Sequence, residues 1–317
     1  MSIPSRAADL PDTADSGSDG PREALDIARR RHVGRWVIGV VVLVIAADLV
    51  VSAATNPNLP WDTAADYFFD GRIMRGLGVT LAMTVIATVL GTVLALVLAT
   101  MTLSQNPVLV AVGRLYITIF RSVPTVVQML FWYYLAAVLP TLSIGIPFGP
   151  DLVSFYTNEL ITKFVAALLG LALGEAAFLA EYFRAGYSAV PRGQIEAAQA
   201  CGLTPIRTFR RIVLPQATRI VLPSYGNQVI ITLKNTSVLF VIGAGDMMTE
   251  AQLIYSQNFQ QIALLMVVIS WYLIIVTVLT FGQRRLEARY SRGYATSAPD
   301  TARGPDVRPD ASAEEPR

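Results

Sequence analysis

Residues 195–215 read IEAAQACGLTPIRTFRRIVLP. The stretch lies between two strongly apolar segments, and it holds Arg207, Arg210 and Arg211, no lysine, and the helix breakers Gly202, Pro205 and Pro215. Residues 195–200 predict a short helix, for which Gly202 suits the C-terminal cap. Thr204-Pro205 predicts the start of a second helix, because proline tolerates a first helical turn. Two short helices meeting at a glycine make a compact exposed knob. Ala197, Ala198 and Ala200 keep one face small enough for a partner backbone to approach, and Glu196 with the arginines adds directional polar contacts. No nucleophile–base pair occurs within it, so the knob suits docking rather than chemistry. Leu214-Pro215 then leads back into apolar sequence.

The surroundings are built for lipid. Of the 317 residues, 53% are hydrophobic and only 15% charged, against about 25% charged in an average soluble domain; mean hydropathy is +0.50. A net charge of +2 gives no field for nucleic acid. The one cysteine, Cys201, excludes an internal disulfide and a thiolate-rich metal site. His32 is the one histidine and lies in a basic cluster, so histidine-based catalysis and histidine metal clusters are excluded as well.

A helix needs about 20 apolar residues to cross a bilayer core of ~30 Å. Runs of that kind stand at 36–54, 79–101, 115–139, 164–187, 220–243 and 262–281. The expected fold is an all-α membrane protein with six transmembrane helices. Cytoplasmic flanks accumulate arginine and lysine. Arg29, Arg30, Arg31 and Arg35 precede the first run, Arg192, Arg207, Arg210, Arg211 and Arg219 lie between the fourth and fifth, and Arg284, Arg285, Arg289 and Arg292 follow the sixth. The segments 140–162 and 244–261 contain neither residue type. Both termini and the knob are therefore expected in the cytoplasm. Residues 1–35 and 293–317 are rich in small, polar and charged residues and read as disordered tails. The run at 36–54 exceeds the ~7–15 apolar residues of a signal peptide, so an uncleaved additional helix is expected, although Ser52-Ala53-Ala54 mimics a cleavage site.

The spacing Glu196-Ala197-Ala198-x3-Gly202-x9-Ile212-x-Leu214-Pro215 resembles, without a gap, the coupling-loop signature of bacterial ABC importer permeases. Phe120-Arg121-Ser122-Val123-Pro124 with Gln128 is similar to a segment of the polar amino acid branch. Ala180-Glu181-Tyr182-Phe183-Arg184-Ala185-Gly186 and Leu233-Lys234-Asn235-Thr236-Ser237-Val238 resemble two further segments. The likeness runs from 76 to 290 and implies a five-helix type I importer core preceded by one extra helix. It implies a non-catalytic subunit of the inner membrane that carries polar amino acids. A solute-binding protein would deliver them, and a second permease copy or a sister permease would complete a dimer. Asn235 stands where the family commonly has Asp, Ser122-Val123 where it has Gly-Thr, and Glu175 where a small or hydroxyl residue is expected. The resemblance also implies that Glu196, Arg207 and their neighbours dock an ABC ATPase subunit. A phosphate-binding P-loop needs Gly before Lys, whereas Lys163 and Lys234, the chain's two lysines, follow Thr162 and Leu233. ATP and Mg therefore belong to the partner, and no cofactor is expected in this chain.

Charges at the bilayer centre cost about 2.5–3.5 kcal/mol and usually face a cavity or a partner. Glu181 and Arg184, three apart, are expected to pair on one helix face. Glu175 and Lys234 lie deeper, the latter in the polar run Lys234-Asn235-Thr236-Ser237. Two readings stand: Glu175 and Lys234 neutralise one another, or Glu175 lines the translocation path and meets a cationic solute. Lys234, Asn235, Thr236, Ser237 and Gln128 are the further candidates for that path. The Gly170/Gly174 step predicts a close helix contact beside Glu175. A rival class, an ion-coupled secondary transporter or channel, would use Glu175 and Lys234 as a charge relay and need no ATPase.

Overall fold

The computed structural model describes residues 33–145 and 151–291. The tail expected at 293–317, and that at 1–35 up to residue 32, lie outside the described residues. Helix α1 (Val33–Ala54) belongs to a unit of its own that ends at Pro57, and the chain from Asn58 onward forms a second unit. Within α1, Trp36–Ala54 is long and apolar enough to cross a membrane.

The second unit begins with α2 (Trp61–Phe68) and α3 (Gly71–Thr102), followed by α4 (Pro107–Ser122) and α5 (Thr125–Tyr133). After the single turn α6 (Leu135–Val138) comes an antiparallel hairpin of β1 (Thr141–Gly145) and β2 (Asp151–Tyr156), which pairs Leu142 with Phe155 and Ile144 with Val153. This small sheet is an addition to the all-helical expectation. Another single turn, α7 (Thr157–Leu160), leads to α8 (Lys163–Ser188), α9 (Arg192–Ala200) and α10 (Pro205–Thr208). Then come a π-helical turn (Phe209–Val213), α11 (Leu214–Asn235), a 3-10 turn (Thr236–Val241), α12 (Met247–Asn258) and α13 (Gln261–Ser291).

In this unit α3, α8 and the stretch Gln261–Tyr290 of α13 are long and apolar enough to span. Two of the expected spans come out differently. The run at 115–139 is not one straight helix: α4 and α5 meet at an angle of 100°. Pro124 has no N–H to continue the ladder and disfavours helical backbone in the residue before it, and Val123 is extended accordingly, at φ −91° and ψ 127°. The run at 220–243 is helical from Leu214 to Asn235 and then tightens into the 3-10 turn. Gln216, Arg219, Ser224, Asn227 and Gln228 dilute its apolar character, and it falls short of the length-and-hydropathy standard that the other spans meet.

Helix α8 is the hub and packs against α3, α4, α5 and α11. Its buried face is made of small residues, among them Ala166, Ala167, Ala176, Ala177 and Ala180, all fully buried. Lipid tails are as apolar as a leucine side chain, so helices in a bilayer associate through close van der Waals packing, which small residues permit. Gly170 shows how close the approach is: a Cβ there would stand 3.0 Å from the Met129 Cα and 2.3 Å from its Cγ, on α5.

Candidate functional site

Glu175 occupies the middle of α8 and is only 3% exposed. A methyl group on Gly91 of α3 would touch its Cβ and Cγ at 3.2–3.3 Å, so α3 lies directly over the side chain. The Thr88 hydroxyl from α3 and the Thr232 hydroxyl from α11 are the polar groups beside the carboxylate. Neither closes a hydrogen bond of ordinary geometry: both Glu175 oxygens, and the Thr88 Oγ1, are buried without a partner. Lys234 does not supply one either. It is exposed, and no ion pair joins it to Glu175 among the described residues. The helix geometry explains this, because Thr232 faces Glu175 and a residue two positions further along lies about 200° around the axis. Of the two readings of these charges, mutual neutralisation is not formed among the described residues.

Of the remaining translocation-path candidates, Gln128, Thr236 and Ser237 are tied to backbone. Gln128 is buried, and its Nε2 donates to the carbonyls of Phe120 at 2.9 Å and Val123 at 2.8 Å. These are carbonyls that the break at Pro124 leaves without helical donors, so the side chain stitches the elbow. The Gln128 Oε1 stays unpartnered beside Gly174. Thr236 donates to the Leu233 carbonyl at 2.6 Å and lies 3.2 Å from the Tyr272 hydroxyl, while Ser237 donates to the Lys234 carbonyl. Asn235 is half-buried at the end of α11. Nearer the far end of α8, Glu181 and Arg184 form the expected pair, with the Arg184 Nε donating to Glu181 Oε2 at 3.0 Å and its Nη2 donating to Oε1. Arg121 lies over the Phe178 ring at 5.2 Å.

The knob forms as two short helices about a glycine. Helix α9 begins at Arg192, three residues earlier than expected, and ends at Ala200, with Cys201 as its C-cap. The Gly202 N–H donates to the Gln199 carbonyl at 2.9 Å and the Leu203 N–H to the Ala198 carbonyl at 3.1 Å, which is the Schellman arrangement. Gly202 takes φ +77°, a region that costs a side-chain-bearing residue about 1–2 kcal/mol. Pro205 opens α10, and the chain passes through the π turn into α11 at Leu214-Pro215. Glu196, Ala197, Gly202, Arg207, Leu214 and Pro215 are exposed, and Ile212 is half-buried. Ala198 departs from the expected small outer face: it is 4% exposed, because α9 folds back on the π turn and this alanine fills the contact. A groove of about 460 Å³ runs between the two, lined by Ala197, Cys201, Leu203, Arg211 and Ile212. The Gln216 Nε2 donates to the Gln194 Oε1 at 2.7 Å and ties the knob to α11.

Residues 87–292 match the family described as the binding-protein-dependent transport system inner membrane component. The chain belongs to that family. Over 264 residues it is 38% identical to the arginine transport system permease protein ArgU of Corynebacterium glutamicum, covering 83% of this chain and 82% of that one. It is 34% identical to the glutamine transport system permease protein GlnP of Escherichia coli over 178 residues, 56% of this chain and 74% of that one. Among solved structures, a crystal structure of an amino acid ABC transporter with histidines superposes with a TM-score of 0.62 at 27% identity, covering 73% of this chain and 99% of that chain. An inward-facing MetNI methionine ABC transporter shares the fold, with a TM-score of 0.52 at 22% identity over 69% of this chain and 96% of that chain.

In this ABC permease the structure also brings forward a buried polar cluster that the sequence reading passed over. Asp246 is fully buried, caps α12 through the Met248 N–H at 3.0 Å and accepts from the Thr249 hydroxyl. Burial pushes its carboxyl above the usual carboxylate range, against the pull of those hydrogen bonds. The neighbouring Met247 N–H donates to the Thr80 Oγ1 of α3 at 3.1 Å. Gly76 lets the two helix starts meet, since a Cβ there would lie 2.8 Å from the Met247 Cα. The available signal was local: Gly245-Asp246 followed by Thr249 is a helix N-terminus signature.

Proposed function

We propose that this permease is the membrane-spanning half of an ATP-driven importer for amino acids, with a bias toward those whose side chains are cationic. The observation that carries the coupling reading is the exposed knob closed at Gly202, an attachment surface without catalytic groups. A separate ATPase subunit receives Glu196, Ala197, Gly202 and Arg207 and holds the ATP and Mg. A solute-binding protein delivers cargo to the opposite face, and a second copy or a sister permease completes the dimer. The arginines flanking α1, the knob and the end of α13 support a cytoplasmic position for those segments. The six spans of this reading are α1, α3, the bent α4–α5 pair, α8, α11 and α13. Residues 76–290 form the permease core and 36–54 the retained additional helix.

Two observations support the cargo. ArgU bears arginine in its name, and Glu175 is a buried carboxylate with no partner. Removing a charge from water costs several kcal/mol even after relaxation, and a cationic side chain admitted when α3 and α11 part from α8 would offset that cost. Lys234, on the other side of α11, is available to a carboxylate.

Gly202→Val tests the coupling reading. The variant should insert into the membrane in normal amount while losing both uptake and co-purification of a P-loop ATPase from detergent. Normal uptake would remove the knob from the mechanism.

A further inference from the structure

A cleft of about 760 Å³ opens where the end of α8, the first turns of α11 and the last turns of α13 converge. Its walls mix basic and apolar residues. Arg219 of α11 and Arg284 of α13 stand in them together with Gln194 and Gln216. Ile220, Leu222, Pro223 and Ala288 are the apolar members. Glu287 is also in the wall, but its Oε1 is engaged by the Gln283 Nε2 at 2.7 Å. Arg284 is exposed and forms no ion pair among the described residues. Arg285 and Arg289 follow on the same helix, so the field at this end is positive.

A second cavity of about 230 Å³ adjoins the first, with Leu222 in the wall of both. It follows the seam between α11 and α13, lined by Tyr225, Gly226, Val229, Leu279 and Leu286. From Leu222 to Val229 the helix advances about 10 Å. At Gly226 the Gln283 side chain crosses the seam: a Cβ on the glycine would stand 2.6–3.0 Å from it, and the Gln283 Nε2 donates to the Pro223 carbonyl at 3.1 Å. A cationic mouth beside a narrow apolar slot is complementary to an amphiphile with an anionic head and a hydrocarbon tail. The position matches, because the arginines sit at the polar ends of α11 and α13 and the slot runs toward their apolar middles. A soluble anion would use the mouth alone and leave the slot without a purpose.

We infer that the α8–α11–α13 cleft is a binding site for an anionic phospholipid, with the headgroup phosphate between Arg219 and Arg284 and one acyl chain in the slot past Gly226. The inference rests on the chain being a membrane-spanning permease and does not depend on its cargo. A lipid seated there braces the root of the knob, since Gln194 and Gln216 share the wall.

The test uses the full chain in its assembled transporter, purified in detergent and exposed to equal phosphatidylglycerol and phosphatidylcholine, with retained lipid measured by native mass spectrometry. The wild type should keep phosphatidylglycerol preferentially. The double variant Arg219→Gln/Arg284→Gln should lower that retention about thirtyfold, the weight of two arginines at roughly 1 kcal/mol each toward an anionic headgroup. Gly226→Leu, which fills the slot and touches only a flexible side chain, should lower retention while leaving the arginines in place. Equal retention of the two lipids, or undiminished retention in the arginine variant, would overturn the site. Displacement of the lipid by millimolar inorganic phosphate, together with normal retention in Gly226→Leu, would reassign the cleft to a free anion. Arg284→Cys in a Cys201→Ser background should be shielded from maleimide only when phosphatidylglycerol is present; shielding whatever the lipid would mean that a protein subunit covers the cleft.

Discussion

Helix α8 carries two glutamates six residues apart, in opposite surroundings. Around Glu181 the helix nears its end, the side chain is 31% exposed, and Arg184 grips both carboxylate oxygens from the next turn. Around Glu175 the same helix is packed on every side, and neither oxygen has a partner. A charge at the rim needs only a neighbour or water, which long side chains reach readily. A charge at the centre needs a dedicated partner, and this permease withholds one while surrounding Glu175 with glycine, alanine and threonine. A fold selected for stability alone would place an apolar side chain there, because buried ionic groups seldom repay their desolvation. The difference marks the rim pair as structural and is what supports the proposal that the central carboxylate serves the transport cycle.

Breaking the packed region outright should have the largest effect. Gly170→Val drives a branched side chain into the backbone of Met129, where no rotamer provides room. The cost should exceed the about 1–3 kcal/mol usual for overpacking, since α5 must be displaced along with the elbow that Gln128 stitches. Size-exclusion chromatography of detergent extracts should show loss of the monodisperse species. A well-behaved Gly170→Val protein would mean that α5 moves freely over α8, and Glu175 would then no longer be sealed.

Glu175→Gln sharpens the contrast instead of breaking it. The variant keeps the volume and removes the charge, so thermal stability in detergent should hold or rise, the pattern of a functional site held at some cost in stability. Uptake at saturating binding protein should fall at least about tenfold for cationic amino acids relative to neutral ones. At a separation of about 4 Å and an effective dielectric of about 20, the lost attraction is about 4 kcal/mol before desolvation is subtracted. Equal losses for both classes would leave Glu175 without a part in selectivity.

What the sequence made legible follows from the range of the interactions involved. The Gly202 cap, the Pro205 start and the Glu181–Arg184 pair are fixed by residues within one or two turns of each other, and all three form as expected. Pro124 was visible too, but a 115–139 run of apolar residues masks a bend, because hydropathy counts composition and is blind to direction. Ala198 shows the same limit on a smaller scale: an alanine carries no sign of whether its helix will fold back upon it. The fate of Glu175 was least legible, since it depends on α3 and α11, and the side on which Lys234 emerges is set by where α11 lies against α8. Asp246 had a clear local signature for capping, yet its burial comes from Gly76 and Thr80 about 170 residues away, which no local pattern encodes.

The smallest effect is expected at the rim. Glu181→Gln removes one member of an ion pair whose side chains are 31% and 40% exposed, and exposed pairs contribute about 0.2–1 kcal/mol. Arg184 is left near the helix end, where its stem can reach water or headgroups, and the glutamine carbonyl still accepts one of its hydrogen bonds. The melting temperature of the solubilised protein should shift by less than about 4 °C, the change that about 1 kcal/mol produces in a chain of this size. Uptake of cationic and neutral amino acids should fall equally or remain unchanged. Raising the salt concentration should shrink the stability difference further, since a half-exposed pair is screened where a buried one is not. Should Glu181→Gln instead alter the preference between cationic and neutral cargo, the path would extend along α8 to the rim, and the contrast between the two glutamates would be one of degree.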